Sequence, residues 1–144
     1  MTTVPLDVVT GIGEGAAQLL AHAAVGFSWR TDSRTGDAPL FIALVPTSPD
    51  RVAVLTPALT GGDPVQATTT GTLQLRFRGG QDARDVWGMA AASRRVLRGR
   101  FPTRLANGIY IATMSFAYGT SIGRDDANRW EWTDSYRFTA TEPR

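Results

Sequence analysis

The most regular pattern of apolar and polar positions lies between Thr72 and Gly99. Leu73, Leu75 and Phe77 alternate with Thr72, Gln74, Arg76 and Arg78, the period of two of a strand with one buried face. Gly79-Gly80 ends that run, and Asp82 stands where a helix N-cap belongs. Its carboxylate can accept from the first free backbone N–H groups, and Asp85 three residues on forms a variant of the capping box. Behind the cap, Val86, Met89, Ala90, Ser93, Val96 and Leu97 recur at the spacing of a one-faced helix. Arg94, Arg95 and Arg98 fall near its C-terminus, where the helix dipole favours cations, and Gly99 suits the C′ position.

The remaining pattern is read outward from this unit. Residues 4–25 predict a helix, with Pro5 in the first turn and Leu6, Val9, Gly13, Ala16, Leu20 and Ala23 as a small-residue face. Gly11, Gly13 and Gly15 each cost about 1 kcal/mol there relative to alanine, so packing holds this helix or it starts later, near Glu14. Gly26 is its stop. Residues 27–39 read as a loop with Phe27 and Trp29 tucked against the domain. Phe41–Val45 reads as a strand buried on both faces, Pro46–Asp50 as a turn, and Arg51–Thr56 as a strand with Val52 and Val54 on one side. Pro57–Gly71, rich in Gly, Pro and Thr, predicts a long exposed loop of the kind that carries function.

Beyond the central helix, Phe101–Leu105 suggests a short strand and Asn107-Gly108 a two-residue hairpin turn. Ile109–Tyr118 predicts a strand with Tyr110, Ala112, Met114, Phe116 and Tyr118 on one face. Gly119–Asn128 predicts a second polar loop. Arg129–Thr141 closes the chain as a strand with Trp130, Trp132, Tyr136, Phe138 and Ala140 on one side. Asp134 breaks that apolar phase, which a bulge or a buried or interface carboxylate would explain. The expected fold is α+β in the order α-β-β-β-α-β-β: a mostly antiparallel sheet of about five strands, with two helices packed on one face. Residues 1–144 are expected to form a single domain.

Composition narrows the class. Hydrophobic residues are 42% and charged residues 19% of the chain, proportions of a globular protein. No apolar run approaches the roughly 20 residues of a membrane span. The N-terminus lacks a basic region ahead of an apolar stretch, so no signal peptide is expected. There is no cysteine, hence no disulfide and no thiolate metal site. All fifteen basic residues are arginine, yet the net charge is only +2. Arginine pairs bidentately at interfaces, but the bias reads more simply as a GC-rich genome.

Candidate chemistry is sparse. His22 is the single histidine, on a helix and with no serine or acid at triad-like spacing. Asp125-Asp126 offers hard oxygen ligands to a divalent cation, but no third carboxylate stands at ligand spacing. Gly11-x-Gly13-x-Gly15 hints at a dinucleotide loop, but no strand precedes it and the third glycine is misplaced. Arg94-Arg95, Arg98 and Arg100 could touch phosphate, yet a place at a helix C-terminus is the better explanation of them. No enzymatic site, metal or cofactor is expected from these residues.

Three stretches together resemble a known family. They are Leu19-Leu20 followed by Gly26-Phe27-x-Trp29-Arg30; Leu75-Arg76-Phe77-Arg78-Gly79-Gly80-x-Asp82-x-Arg84; and Ile122-Gly123-Arg124-Asp125-x-x-Asn128-Arg129-Trp130-Glu131-x-Thr133-Asp134-Ser135-Tyr136. In this order, over nearly the whole chain, they resemble the tail terminator family of long, non-contractile-tailed bacteriophages, minor capsid proteins of the siphovirus tail. The resemblance implies a structural virion protein, not an enzyme, at the head–tail interface of the tail, assembled in the host cytoplasm. It implies a homohexameric ring that caps the major tail tube protein, ends tube polymerisation and meets the head–tail connector or stopper protein. Genome DNA would pass through the channel without specific binding, and no membrane is involved. The alternative is a head-completion or stopper protein of the neck. Under the resemblance, the candidate subunit or partner interface residues are Asp63, Thr69, Arg94, Arg98, Arg124, Asp125, Asp126, Arg129 and Asp134. Because lumenal arginines would retard DNA, most arginines are expected at interfaces, with Asp125 and Asp126 nearer the channel or its rim.

Overall fold

A computed structural model describes residues 7–29, 37–63, 65 and 67–142. Helix α1 spans Val8–His22 and α2 spans Ala83–Leu97. Seven strands, β1 (Phe27–Ser28), β2 (Ala38–Ile42), β3 (Val52–Asp63), β4 (Thr68–Arg78), β5 (Thr103–Arg104), β6 (Tyr110–Arg124) and β7 (Trp130–Thr141), form one sheet in the order β1-β2-β3-β4-β7-β6-β5. The central strand β4 is flanked by two long antiparallel partners, β3 and β7. Leu55, Leu73, Leu75, Phe77, Tyr136 and Phe138 point from these strands into one core with Ile12, Ala16 and Leu20 of α1 and Val86, Met89, Ala90 and Leu97 of α2. Both helices therefore cover the same face of the sheet.

Local chemistry sets each helix. Asp7 caps α1, its carboxylate accepting from the Val9 N–H at 3.0 Å and the Thr10 hydroxyl at 2.7 Å, so the helix begins at Val8 rather than near Glu14. The expected role of Pro5 falls outside the described residues. The glycines of α1 line its buried side: a Cβ at Gly13 would lie 3.1 Å from Ile42 Cδ1, and one at Gly15 would collide with Leu105. Close helix–sheet approach, not a nucleotide loop, accounts for them. In α2, Asp82 caps as expected, accepting from the Arg84 N–H at 3.0 Å, and Gly99 takes φ +84° just past the end. Asp85 does not complete a capping box. It reaches back to the Gly80 N–H at 3.2 Å and pairs with Arg51 at 3.0 Å.

The strand count of about five and the order α-β-β-β-α-β-β need correction to seven strands in the order α-β-β-β-β-α-β-β-β. Two of the strands, β1 and β5, are two residues long, too short to produce a period. The sheet also contains parallel pairs, β1 with β2 and β2 with β3. Pro57–Gly71 is not a long loop: β3 and β4 continue through it as a hairpin whose turn lies between Asp63 and Thr68. The threonines there pair across strands, and Gly71 gives room to the Ala58 carbonyl and the Phe138 ring. Gly119–Asn128 is likewise mostly strand, with the turn confined to the residues between Arg124 and Trp130. Phe41–Val45 is not a doubly buried strand, since Leu44 and Val45 lie exposed past the end of β2. Register shifts in β6 between Ile111 and Thr113, Phe116 and Tyr118, and Ser121 and Gly123 break its expected face. Met114 and Phe116 stay on the helix side, while Tyr110 and Tyr118 fall opposite Thr141 and Ser135 on the other. Among the described residues, no helix is long and apolar enough to cross a membrane.

Candidate interaction surfaces

The two hairpin turns project from opposite ends of the sheet, because Thr68 pairs with Thr141 at one end of β4 while Arg78 pairs with Glu131 at the other. At the second end, three connections meet: 43–51, 79–82 and 125–129. Arg78 is buried, and its guanidinium donates to the carbonyls of Asp50 at 3.0 Å, Pro46 at 2.6 Å and Pro49 at 2.7 Å. Loss of water around it lowers its pKa. Arg129 donates to Asp125 at 2.8 Å and to the Thr47 carbonyl at 2.7 Å. The Arg129 backbone N–H, its guanidinium and the Ala127 N–H hold the Asp125 carboxyl below the usual carboxylate range. Asn128, at φ 64°, completes the turn and accepts from Arg124, which also lies 5.4 Å from the Trp130 ring centre. Gly79 and Gly80 exchange backbone hydrogen bonds with Trp130. Two of the three stretches that carry the family resemblance thus interlock here.

Asp134 is fully buried on the helix-covered face. Its oxygens accept from Arg94 Nε at 2.9 Å and the Trp132 indole at 2.7 Å, and a side chain at Gly119 would collide with it. The strand is in unbroken register here, so the break in the apolar pattern marks a buried carboxylate rather than a bulge.

At the first end, the β3–β4 hairpin carries Asp63, whose carboxylate accepts from the Val65 N–H at 3.0 Å, with Leu59 and Val65 exposed beside it. Both sheet margins are open along much of their length. Strand β5 covers β6 only at Tyr110 and Ile111, and β2 covers β3 only from Ala53 to Leu55. Among the described residues, β6 beyond Ala112 and β3 beyond Thr56 therefore have no strand on their outer sides. The β6 margin presents Phe116, Tyr118 and Ile122 to solvent. Between α2 and β6 lies a cleft of about 330 Å³ lined by Arg94, Leu97, Arg98, Met114, Phe116 and Tyr136. Among the described residues the Tyr136 hydroxyl has no hydrogen-bond partner, and burial raises its pKa.

The residues singled out from the sequence do not form one patch. Asp63 lies at the hairpin end, Arg124, Asp125, Asp126 and Arg129 at the opposite end, and Arg98 at the exposed C-cap of α2. Arg94 and Asp134 pair with each other, Asp125 with Arg129, and the Thr69 side chain is buried. His22 sits in the last turn of α1. Sequence reasoning missed the Arg78 clamp, the Arg51–Asp85 pair and the open margins. Arg78 looked like one more polar position of an alternating strand, and an edge leaves no mark in a single strand's pattern.

A family profile described as bacteriophage tail terminator protein matches residues 20–142. Among solved structures, a chain from the virion of a native gene transfer agent particle superposes with a TM-score of 0.69 at 16% identity, covering 95% of this chain and 100% of that one. At that identity the likeness shows a shared fold. No curated protein sequence matches significantly.

Proposed function

The chain belongs to the bacteriophage tail terminator family, structural proteins of the virion, and from that premise we propose that six copies close into a ring on the end of the tail tube. The ring stops tube polymerisation and presents its far side to the head–tail connector. The observation that carries this reading is the pair of open margins on opposite sides of one sheet. Different surfaces that meet head to tail give a heterologous contact, which closes into a ring when the rotation permits. The two ends of the sheet, a projecting hairpin and a braced cluster of connections, supply distinct surfaces for tube and connector.

DNA transit through such a ring favours few free cations at the lumen. In support, Arg51, Arg76, Arg84, Arg94 and Arg129 each contact a carboxylate of their own chain, and Arg78 is spent on carbonyls. Asp126 remains exposed at the β6–β7 turn, in keeping with a place near the channel rim.

Light scattering tests the ring: six 15.5 kDa chains make a particle of about 93 kDa. Growing tail tubes in the presence of the purified protein tests the cap. Tubes of limited length with the protein at one end are expected; tubes of undiminished length with no bound protein reject it. Binding to the head connector but not to tubes would assign the chain to the neck as a stopper.

A further inference from the structure

We propose that neighbouring copies join by sheet extension, with the open margin of β3 from Ala58 to Gly61 pairing antiparallel with the open margin of β6 on the next copy. The inference deepens the ring reading and rests on it. Isolated proteins guard exposed strand edges with charges, proline, bulges or a covering segment. Here Thr113–Gly123 contains no charged residue and no proline, and Thr56–Gly62 has no charge and only Pro57. Both edges are long, and among the described residues their guards are Pro57, the bulge between Leu59 and Gly61 and the bulges of β6.

Direction and level also agree. Strands β3, β4, β7 and β6 alternate in direction, so a copy of β3 placed beside β6 in the same orientation runs antiparallel to it. Leu59 pairs with Gly71, Gly71 with Phe138, and Phe138 with Met114. Leu59 therefore lies at the level of Met114 and on the helix-covered face. An added β3 presents Leu59 at the mouth of the cleft formed by Leu97, Met114, Phe116 and Tyr136. Leu59 and Phe116, both exposed in the single chain, are then buried together. Charge agrees as well. From Val52 to Leu75 the only charged residue is Asp63, whereas the segment flanking the cleft carries Arg94, Arg95, Arg98, Arg100 and Arg104.

The absence of cysteine makes a clean test. Variants carrying Leu59→Cys with Met114→Cys, or Leu59→Cys with Phe116→Cys, are assembled alone and on tail-tube ends, then oxidised. Within one chain β3 and β6 are three strand spacings apart, about 14 Å, too far for a disulfide, which needs Cα atoms within about 7 Å. Only a bond between copies can form. A ladder of linked species ending at six, absent from each single-cysteine variant, is expected. A particle of ring mass that yields no ladder with either pair overturns the edge contact and leaves the ring reading standing; no particle alone or on tubes removes both. As a second measure, Leu59→Glu, exposed in the single chain, should leave the circular dichroism unchanged and raise the concentration for half-assembly at least tenfold. Unaltered assembly would overturn the proposal.

Discussion

Arg94 is about one-third exposed above a carboxylate that water does not reach, with side-chain exposures of 31% and 0%. The two partners should therefore respond differently to removal. Arg94→Met strands a buried charge that keeps only the Trp132 indole, and a loss of about 3 kcal/mol is expected in urea titration. Asp134→Asn keeps an acceptor for that indole and frees Arg94 to turn to water, so about 1 kcal/mol is expected. Equal losses would show that the pair is not the source of the asymmetry. Asp125 makes a different prediction, in pH. Its folded pKa is depressed, chiefly by the Arg129 backbone N–H. Its contribution is thus present above the unfolded value of about 3.9 and lost as pH falls through the folded one. Thermal midpoints followed from pH 6 to pH 2 should fall less steeply below pH 4 in Asp125→Asn than in the natural chain.

At the scale of elements, the connection 43–51 is held by one side chain from β4. Arg78 serves three of its carbonyls at once, a geometry that the planar five-donor guanidinium can meet and a lysine ammonium cannot. Arg78→Lys and Arg78→Met should both destabilise, the latter by about 3 kcal/mol as three carbonyls lose their charged donor. Amide exchange in residues 44–51 should rise before exchange in β4 and β7 does. Unchanged exchange there would mean that the loop is held by Arg129 alone. The bulges of β6 belong to this scale too. They turn Tyr118 away from the helices while keeping Phe116 over Tyr136, with ring centres 5.6 Å apart.

For the whole molecule, the proposed assembly surface lies apart from the core that holds the fold. The core lies between the two helices and the middle of β3, β4 and β7, whereas Leu59 and the residues up to Asp63 are exposed. Replacing residues 61–69 by an Asn-Gly turn that joins Thr60 to Thr70 should lower the thermal midpoint by only about 4 °C, the worth of roughly 1 kcal/mol in a domain of this size. The same deletion should abolish the particle of about 93 kDa, six times 15.5 kDa, seen by light scattering. A shortened chain that still forms that particle would place the subunit contact elsewhere.

The residue pattern alone determined β4 from Thr72 to Arg78, α2 and β7, because each packs one face against a single core and its period records that burial directly. It also located the Asp82 cap and, one residue off, the turn before β6, which the Gly108 N–H to Leu105 hydrogen bond centres on Ala106-Asn107; its chemistry is local, with Asn107 accepting from the Ile109 N–H at 3.2 Å, two residues away. The Thr- and Gly-rich span from Pro57 to Gly71 has the composition of a loop, because its glycines and prolines interrupt any alternation; its strands pair across a local hairpin, and β4 also pairs with the distant β7. Where the sheet ends was likewise decided only in three dimensions. An edge is defined by the neighbour a strand lacks, and no stretch of its own residues encodes that.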